Sequence, residues 1–177
     1  RDAVVVVGDT EGRHFTWQRG HRPDTVLQLA SASKWLTAAV ILQLVDDGVL
    51  TLDDRPQDHL AWATDDPSDP RSAITLEQLL AFTSGFDVRA LDRSCVSDGS
   101  TTLAACARTF YDEDHVFAPG TTFLYGPAHM HVAAAMAEAA TGRTWPQLFR
   151  DTVGDPLGMS DAAGFKNPSV DNPRASG

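Results

Sequence analysis

Residues 29–54 read Leu29-Ala30-Ser31-Ala32-Ser33-Lys34-Trp35, then LTAAVILQLV, then Asp46-Asp47-Gly48, then VLTLDD. An uninterrupted set of good helix formers runs from Ser31 to Asp47, and Gly48 is the natural stop, so the spacing predicts a helix over 31–47. Ser31 and Lys34 stand three apart at its start, and side chains at i and i+3 share one helix face. That places an amine within reach of a hydroxyl. A serine is a poor nucleophile until a base removes its proton, and a neutral lysine can serve as that base. The apolar neighbours and the first-turn position both work against a full positive charge on the amine. The Ser31 backbone N–H, at a helix start, is a candidate donor to an oxyanion. The alternative is a solvated serine and lysine that merely share a face. Only two lysines occur in the chain, Lys34 and Lys166.

Upstream, AVVVVG at 3–8 and RHFTWQRG at 13–20 flank a turn-like Asp9–Gly12 stretch, which predicts a β-hairpin. Downstream, residues 55–71 are rich in Pro and Asp and read as loop. Thr75-Leu76-Glu77-Gln78 is a capping box, with Ile74 and Leu79 as its hydrophobic staple, opening a helix expected to end near Gly85. Further helices are expected over 102–111, from Pro127 to Thr141 before Gly142, and over 145–153. Pro119-Gly120 marks a turn before a short extended piece at 121–125. Two strands followed by helices make an α+β chain whose antiparallel sheet is incomplete. We divide it at residue 54, with strands and first helix in 1–54 and a mainly helical region in 55–177. A lone hairpin leaves unpaired strand edges, so a C-terminal half, in the same or a separate chain, is expected to complete the sheet.

The 177 residues carry 24 acidic against 14 basic side chains, a net charge of -10, with 42% hydrophobic residues. That composition supports a folded core and argues against nucleic acid, whose phosphates are bound by Lys/Arg clusters. No apolar stretch reaches the length of a membrane span. Cys95 and Cys106 lie in a polar segment. They read as two unrelated thiols, a metal pair, or a disulfide; the last is favoured and would imply a secreted or periplasmic setting. No Cys/His cluster of ligand spacing accompanies them, so no metal is expected. His129 and His131 fall about 200° apart on a helix and form no metal face. His14, His21, His59 and His115 read as surface residues, Met130 and Met136 as core, and the paired aspartates as solvated charges.

The 29–54 stretch resembles the region around the nucleophile in class C β-lactamases, low-molecular-weight penicillin-binding proteins and their esterase relatives. Three further stretches follow in that family's order: ITLEQLLAFTSGF at 74–86, FAPGTTFLY at 117–125 and VGDPLGM at 153–159. The resemblance implies a β-lactamase-like α+β fold, of which this chain is the N-terminal portion. It also implies an acyl-enzyme mechanism needing no metal or organic cofactor. Ser31 is then the nucleophile, with Lys34 and Tyr125 sharing the proton traffic, on an ester, lactone, β-lactam or amide. Taken alone, Tyr125 reads as a half-buried aromatic at a strand end. The family's tyrosine opens a Tyr-x-Asn motif whose Asn holds the substrate amide; here the residues are Tyr125-Gly126-Pro127, which favours an ester. The family's Lys-Thr-Gly or His-x-Gly strand does not occur, and NPRASG at 172–177 resembles a stretch that runs on into more protein. A different class remains open: a catalytically silent binding or structural chain, or one half of a two-chain hydrolase or acyltransferase inactive without its partner.

Overall fold

The computed structural model describes residues 2–87, 94–98, 100–160 and 163–165; Lys166 and the 172–177 stretch lie outside them. Strands β1 (Ala3–Asp9) and β2 (Gly12–Arg19) pair antiparallel, with the register slipping between Val7 and Gly8. The turn between them closes where the Asp9 carboxylate accepts the Glu11 N–H at 2.8 Å. Both faces of this hairpin are largely exposed, including Val5, Val7, Phe15 and Trp17.

Helix α1 (Ser33–Asp46) follows a 3-10 turn at Ala30–Ala32. Its buried positions, Ser33, Lys34, Thr37, Val40, Ile41 and Leu44, repeat at three and four residues and form one inward stripe. The opposite face is apolar too, but Trp35 and Leu42 remain exposed. The inward stripe packs on α6 (Ala128–Thr141), the central element, which also contacts α2 (Pro56–His59), α3 (Leu76–Leu80), α5 (Leu103–Asp112) and α7 (Trp145–Phe149). Ten of its fourteen residues are buried, and a run of alanines lets neighbouring helices approach closely. Met136 and Met130 lie in this interior as expected. Gly142 closes α6 at φ +65, where a Cβ is disfavoured.

Several expected boundaries shift. The capping box forms, with Thr75 Oγ1 accepting from Gln78 N and Gln78 Oε1 accepting from Thr75 N, but α3 ends at Leu80 rather than near Gly85. Phe82 turns left-handed at φ +59 and breaks the helix. The 55–71 segment is not all loop. Pro56 starts α2, and Pro70 starts a 3-10 turn (Pro70–Ala73) capped by Asp69. A short α4 (Ser94–Ser97) was not anticipated. Pro127 is the residue before α6 rather than its first, and the 121–125 piece pairs in no strand. The final helix is legible in extent but changes character: α7 loosens into a π turn over Arg150–Gly154.

Cys95 and Cys106 form a disulfide that ties α4 to α5. The surface reading fails for His59 and His115. His59 is three-quarters or more covered and bonds the Asp54 carboxylate at 2.8 Å, and His115 Nε2–H donates to the Ser84 carbonyl at 2.8 Å. Asp54 is correspondingly not a free solvated charge: its desolvation, the largest single influence, is outweighed by the combined hydrogen bonds from Thr51 and His59, which lower its carboxyl below the usual range. Among the described residues no helix is long and apolar enough to cross a membrane.

Candidate active site

Ser31 occupies the 3-10 turn ahead of α1, so the helix proper starts two residues after the expected Ser31. Ala30, just before it, has φ +45, an uncommon value for a residue with a Cβ. The turn is held by Ser33 Oγ, which donates to the Ala30 carbonyl at 2.7 Å. The i, i+3 relation survives this change of pitch, because it is closer to eclipsed in a 3-10 turn. Ser31 is exposed, Lys34 is only 8% exposed, and Lys34 Nζ donates to Ser31 Oγ at 3.4 Å. The Ser31 N–H lies in the first helical turn, where backbone donors lack intrahelical acceptors.

The third group arrives from far along the chain. Tyr125 is 49% exposed, in a loop rather than at a strand end, and Lys34 Nζ stands 5.3 Å from its ring centroid. A hydrogen bond with Ser31, reinforced by the nearby Lys34 ammonium, holds the Tyr125 phenol below its ordinary range despite some desolvation. All three sequence-predicted residues, Ser31, Lys34 and Tyr125, therefore meet at one hydroxyl.

What brings Tyr125 there is a pair of chain segments running side by side. Leu124 N donates to Phe82 O at 2.9 Å, Gly120 N to Thr83 O at 2.8 Å, and Val116 N to Gly85 O at 3.0 Å. Gly85 sits at φ +96, and a Cβ there would collide with the Phe117 carbonyl and the His115 ring, so glycine is required twice over. Among the described residues only two non-glycines have positive φ: Ala30, which precedes Ser31, and Phe82, whose ring lies 5.1 Å from that of Tyr125. Strained backbone of this kind is held only where its surroundings over-determine it.

Sequence reasoning missed Phe82, Ser84 and His129 as parts of this arrangement. Ser84 and His129 are fully buried and bonded to each other at 2.9 Å. The Thr83-Ser84-Gly85 turn was the available signal, but nothing local links it to a histidine on α6. His131 is buried as well, donating from Nδ1 to the Pro127 carbonyl at 3.0 Å and packing on Phe110. Among the described residues no group of three or more His, Cys, Asp or Glu side chains could hold a metal ion.

Known proteins resemble this chain in sequence and in fold. A lovastatin esterase from Penicillium rubens is 31% identical over 90% of this chain and 48% of its own length. Esterase EstB from Burkholderia gladioli is 33% identical over 81% of this chain and 39% of its own. A crystal structure of a Bacteroides dorei protein assigned as a beta-lactamase superposes with a TM-score of 0.74 at 35% identity, covering 90% of this chain and 46% of that one. The chain thus spans about half the length of these relatives or less. The family model for beta-lactamase matches residues 2–177, and the chain belongs to the beta-lactamase family, of whose fold it carries the N-terminal part.

Proposed function

We propose that this chain carries the nucleophile of a serine hydrolase that works through an acyl-enzyme, with an ester as the favoured substrate class over a lactone, β-lactam or amide. The observation that carries this reading is the convergence of Lys34 Nζ and the Tyr125 phenol on Ser31 Oγ. Ser31 Oγ attacks the substrate carbonyl carbon while its proton passes to the Lys34–Tyr125 pair. The acceptor is the Tyr125 phenolate, which the neighbouring Ser31 hydroxyl and Lys34 ammonium stabilise and which becomes a phenol on taking the proton. The carbonyl oxygen becomes an oxyanion, toward which the Ser31 N–H can donate. Collapse breaks the bond to the leaving oxygen, which takes the proton back from the pair. Water then repeats the sequence on the acyl-enzyme, releasing acid and free Ser31. The preference for an ester follows from Pro127, which has no side-chain donor for a substrate amide.

The same reading requires a second wall. Val5, Val7, Phe15 and Trp17 stand about half-exposed on the hairpin and Trp35 is 83% exposed on α1, and exposed apolar side chains beside unpaired strand edges favour a covering partner. Further strands, from a continuation or a separate chain, would pair the hairpin edges and supply the second oxyanion donor. The Cys95–Cys106 bond supports a secreted or periplasmic setting.

The test is an active-site-directed acylating probe on the full-length protein, read by peptide mass. Label on Ser31 is expected, lost in Ser31→Ala and slowed about 10²–10⁴-fold in Lys34→Ala, the range for losing a general base. No label on Ser31 with the completing half present would overturn the reading in favour of a silent chain.

A further inference from the structure

We propose that His129, with Ser84, is a positioning pair that sets the Tyr125 hydroxyl against Ser31 by fixing the backbone of Leu124. The inference rests on the acyl-enzyme reading for its catalytic consequence, but its geometry stands alone.

Leu124 immediately precedes Tyr125, and both of its backbone polar groups are held. Its N–H donates to Phe82 O at 2.9 Å, and its carbonyl faces His129 Nε2 at 2.7 Å. A carbonyl can only accept, so Nε2 carries the proton and Nδ1 is the acceptor. Ser84 Oγ–H supplies the bond to Nδ1 at 2.9 Å. The imidazole therefore needs one tautomer, and Ser84 selects it. Burial keeps the ring neutral, lowering its pKa from 6.5 to about 4, so the acceptor at Nδ1 persists at neutral pH. Ser84 is fixed in turn by its own carbonyl, which accepts from His115 Nε2–H at 2.8 Å.

The rings repeat the connection. Phe82 lies 5.2 Å from His129, 5.1 Å from Tyr125 and 5.9 Å from Phe123, centroid to centroid. Phe82 thus contacts both ends of the brace. A buried imidazole on a helix otherwise rich in alanine has a desolvation cost that an apolar side chain would avoid. Its two directed bonds give it a task that packing alone does not explain.

The experiment uses the full-length protein with a chromogenic acetate ester. It compares His129→Leu, His129→Gln and Ser84→Ala, each alone and combined with Tyr125→Phe. Displacing a reacting group by about 1 Å can cost about 10²-fold, so His129→Leu is expected to lower kcat by that order with KM little changed. His129→Gln, whose amide can donate to Leu124 and accept from Ser84, is expected to restore most of the rate. Combined with Tyr125→Phe, His129→Leu should have no further effect, because it acts through a hydroxyl no longer present. Equal losses with and without Tyr125, or no loss, would overturn the proposal. Ser84→Ala keeps the test open if His129→Leu does not fold, since it removes only the donor to Nδ1 and should lower kcat in the same Tyr125-dependent way. If wild-type protein turns over no ester and takes no label on Ser31, the acyl-enzyme reading has failed, and the tyrosinate absorbance still tests the brace. Identified by subtraction of the Tyr125→Phe spectrum, the Tyr125 ionisation should move to higher pH in Ser84→Ala and His129→Leu. An unchanged titration overturns the brace whatever the activity.

Discussion

Replacing His129 with glutamine removes a buried imidazole whose pKa is lowered to about 4 and should flatten the acid side of the stability curve. The ring is fully buried, and burial lowers its pKa from 6.5 to about 4, opposed only in part by its bond to the Leu124 carbonyl. As pH falls below about 6.5, the unfolded chain takes up a proton on His129 that the folded chain refuses until about pH 4. Stability present above pH 6.5 is therefore lost progressively down to about pH 4 and changes no further below it on this account. At about 1.4 kcal/mol per decade of proton affinity, the interval amounts to about 3 kcal/mol, of which about 2.5 kcal/mol falls between about pH 7 and about pH 4.5. Carboxylates also titrate in this range, so the informative quantity is a difference between proteins. Urea denaturation of the full-length protein and of His129→Gln at those two pH values supplies it. The wild type should lose about 2.5 kcal/mol more than the variant on acidification. Equal losses would refute the assignment of a buried, neutral imidazole at this position.

Two further outcomes follow from the backbone and the cross-link. Gly85→Ala places a Cβ against the Phe117 carbonyl at a φ of +96, and should cost about 3 kcal/mol in urea denaturation together with most of the rate of the ester hydrolysis proposed above; a fully stable, fully active variant would contradict the described turn. Reducing Cys95–Cys106, which are 11 residues apart, should lower stability by about 3 kcal/mol from loop-closure entropy, measured as a drop in urea midpoint on adding a reductant and absent in the Cys95→Ala, Cys106→Ala double variant.

The features legible in the sequence are those whose physics is local. The hairpin, the capping box at Thr75, the Gly142 stop and the Ser31–Lys34 pair each depend on residues within a few positions of one another. Even there the sequence overran. A pattern of apolar residues could not reveal that Phe82 would leave the helix region, since that φ is enforced by the neighbouring loop through Leu124 and Gly120. Short helices at Pro56 and Ser94 escaped notice because four residues carry too little periodicity to separate them from loop. His59 and His115 read as surface residues because a hydrogen bond to the Asp54 carboxylate or to the Ser84 carbonyl leaves no trace in hydrophobic periodicity.

By itself, then, the sequence determined that a serine and an amine share one face of a helix start, because helical rise fixes the i, i+3 relation whatever surrounds it. It also carried enough ordered motifs to mark the fold. Only the tertiary structure decided that Tyr125 meets Ser31, that His129 and Ser84, 45 residues apart, bond in the interior, and that the hairpin faces stand open. The first two contacts exist because the loop leading to Tyr125 donates backbone hydrogen bonds to the carbonyls of the Phe82–Gly85 turn. Closing such distant segments on one another depends on the packing of the whole core, which no short window of residues contains.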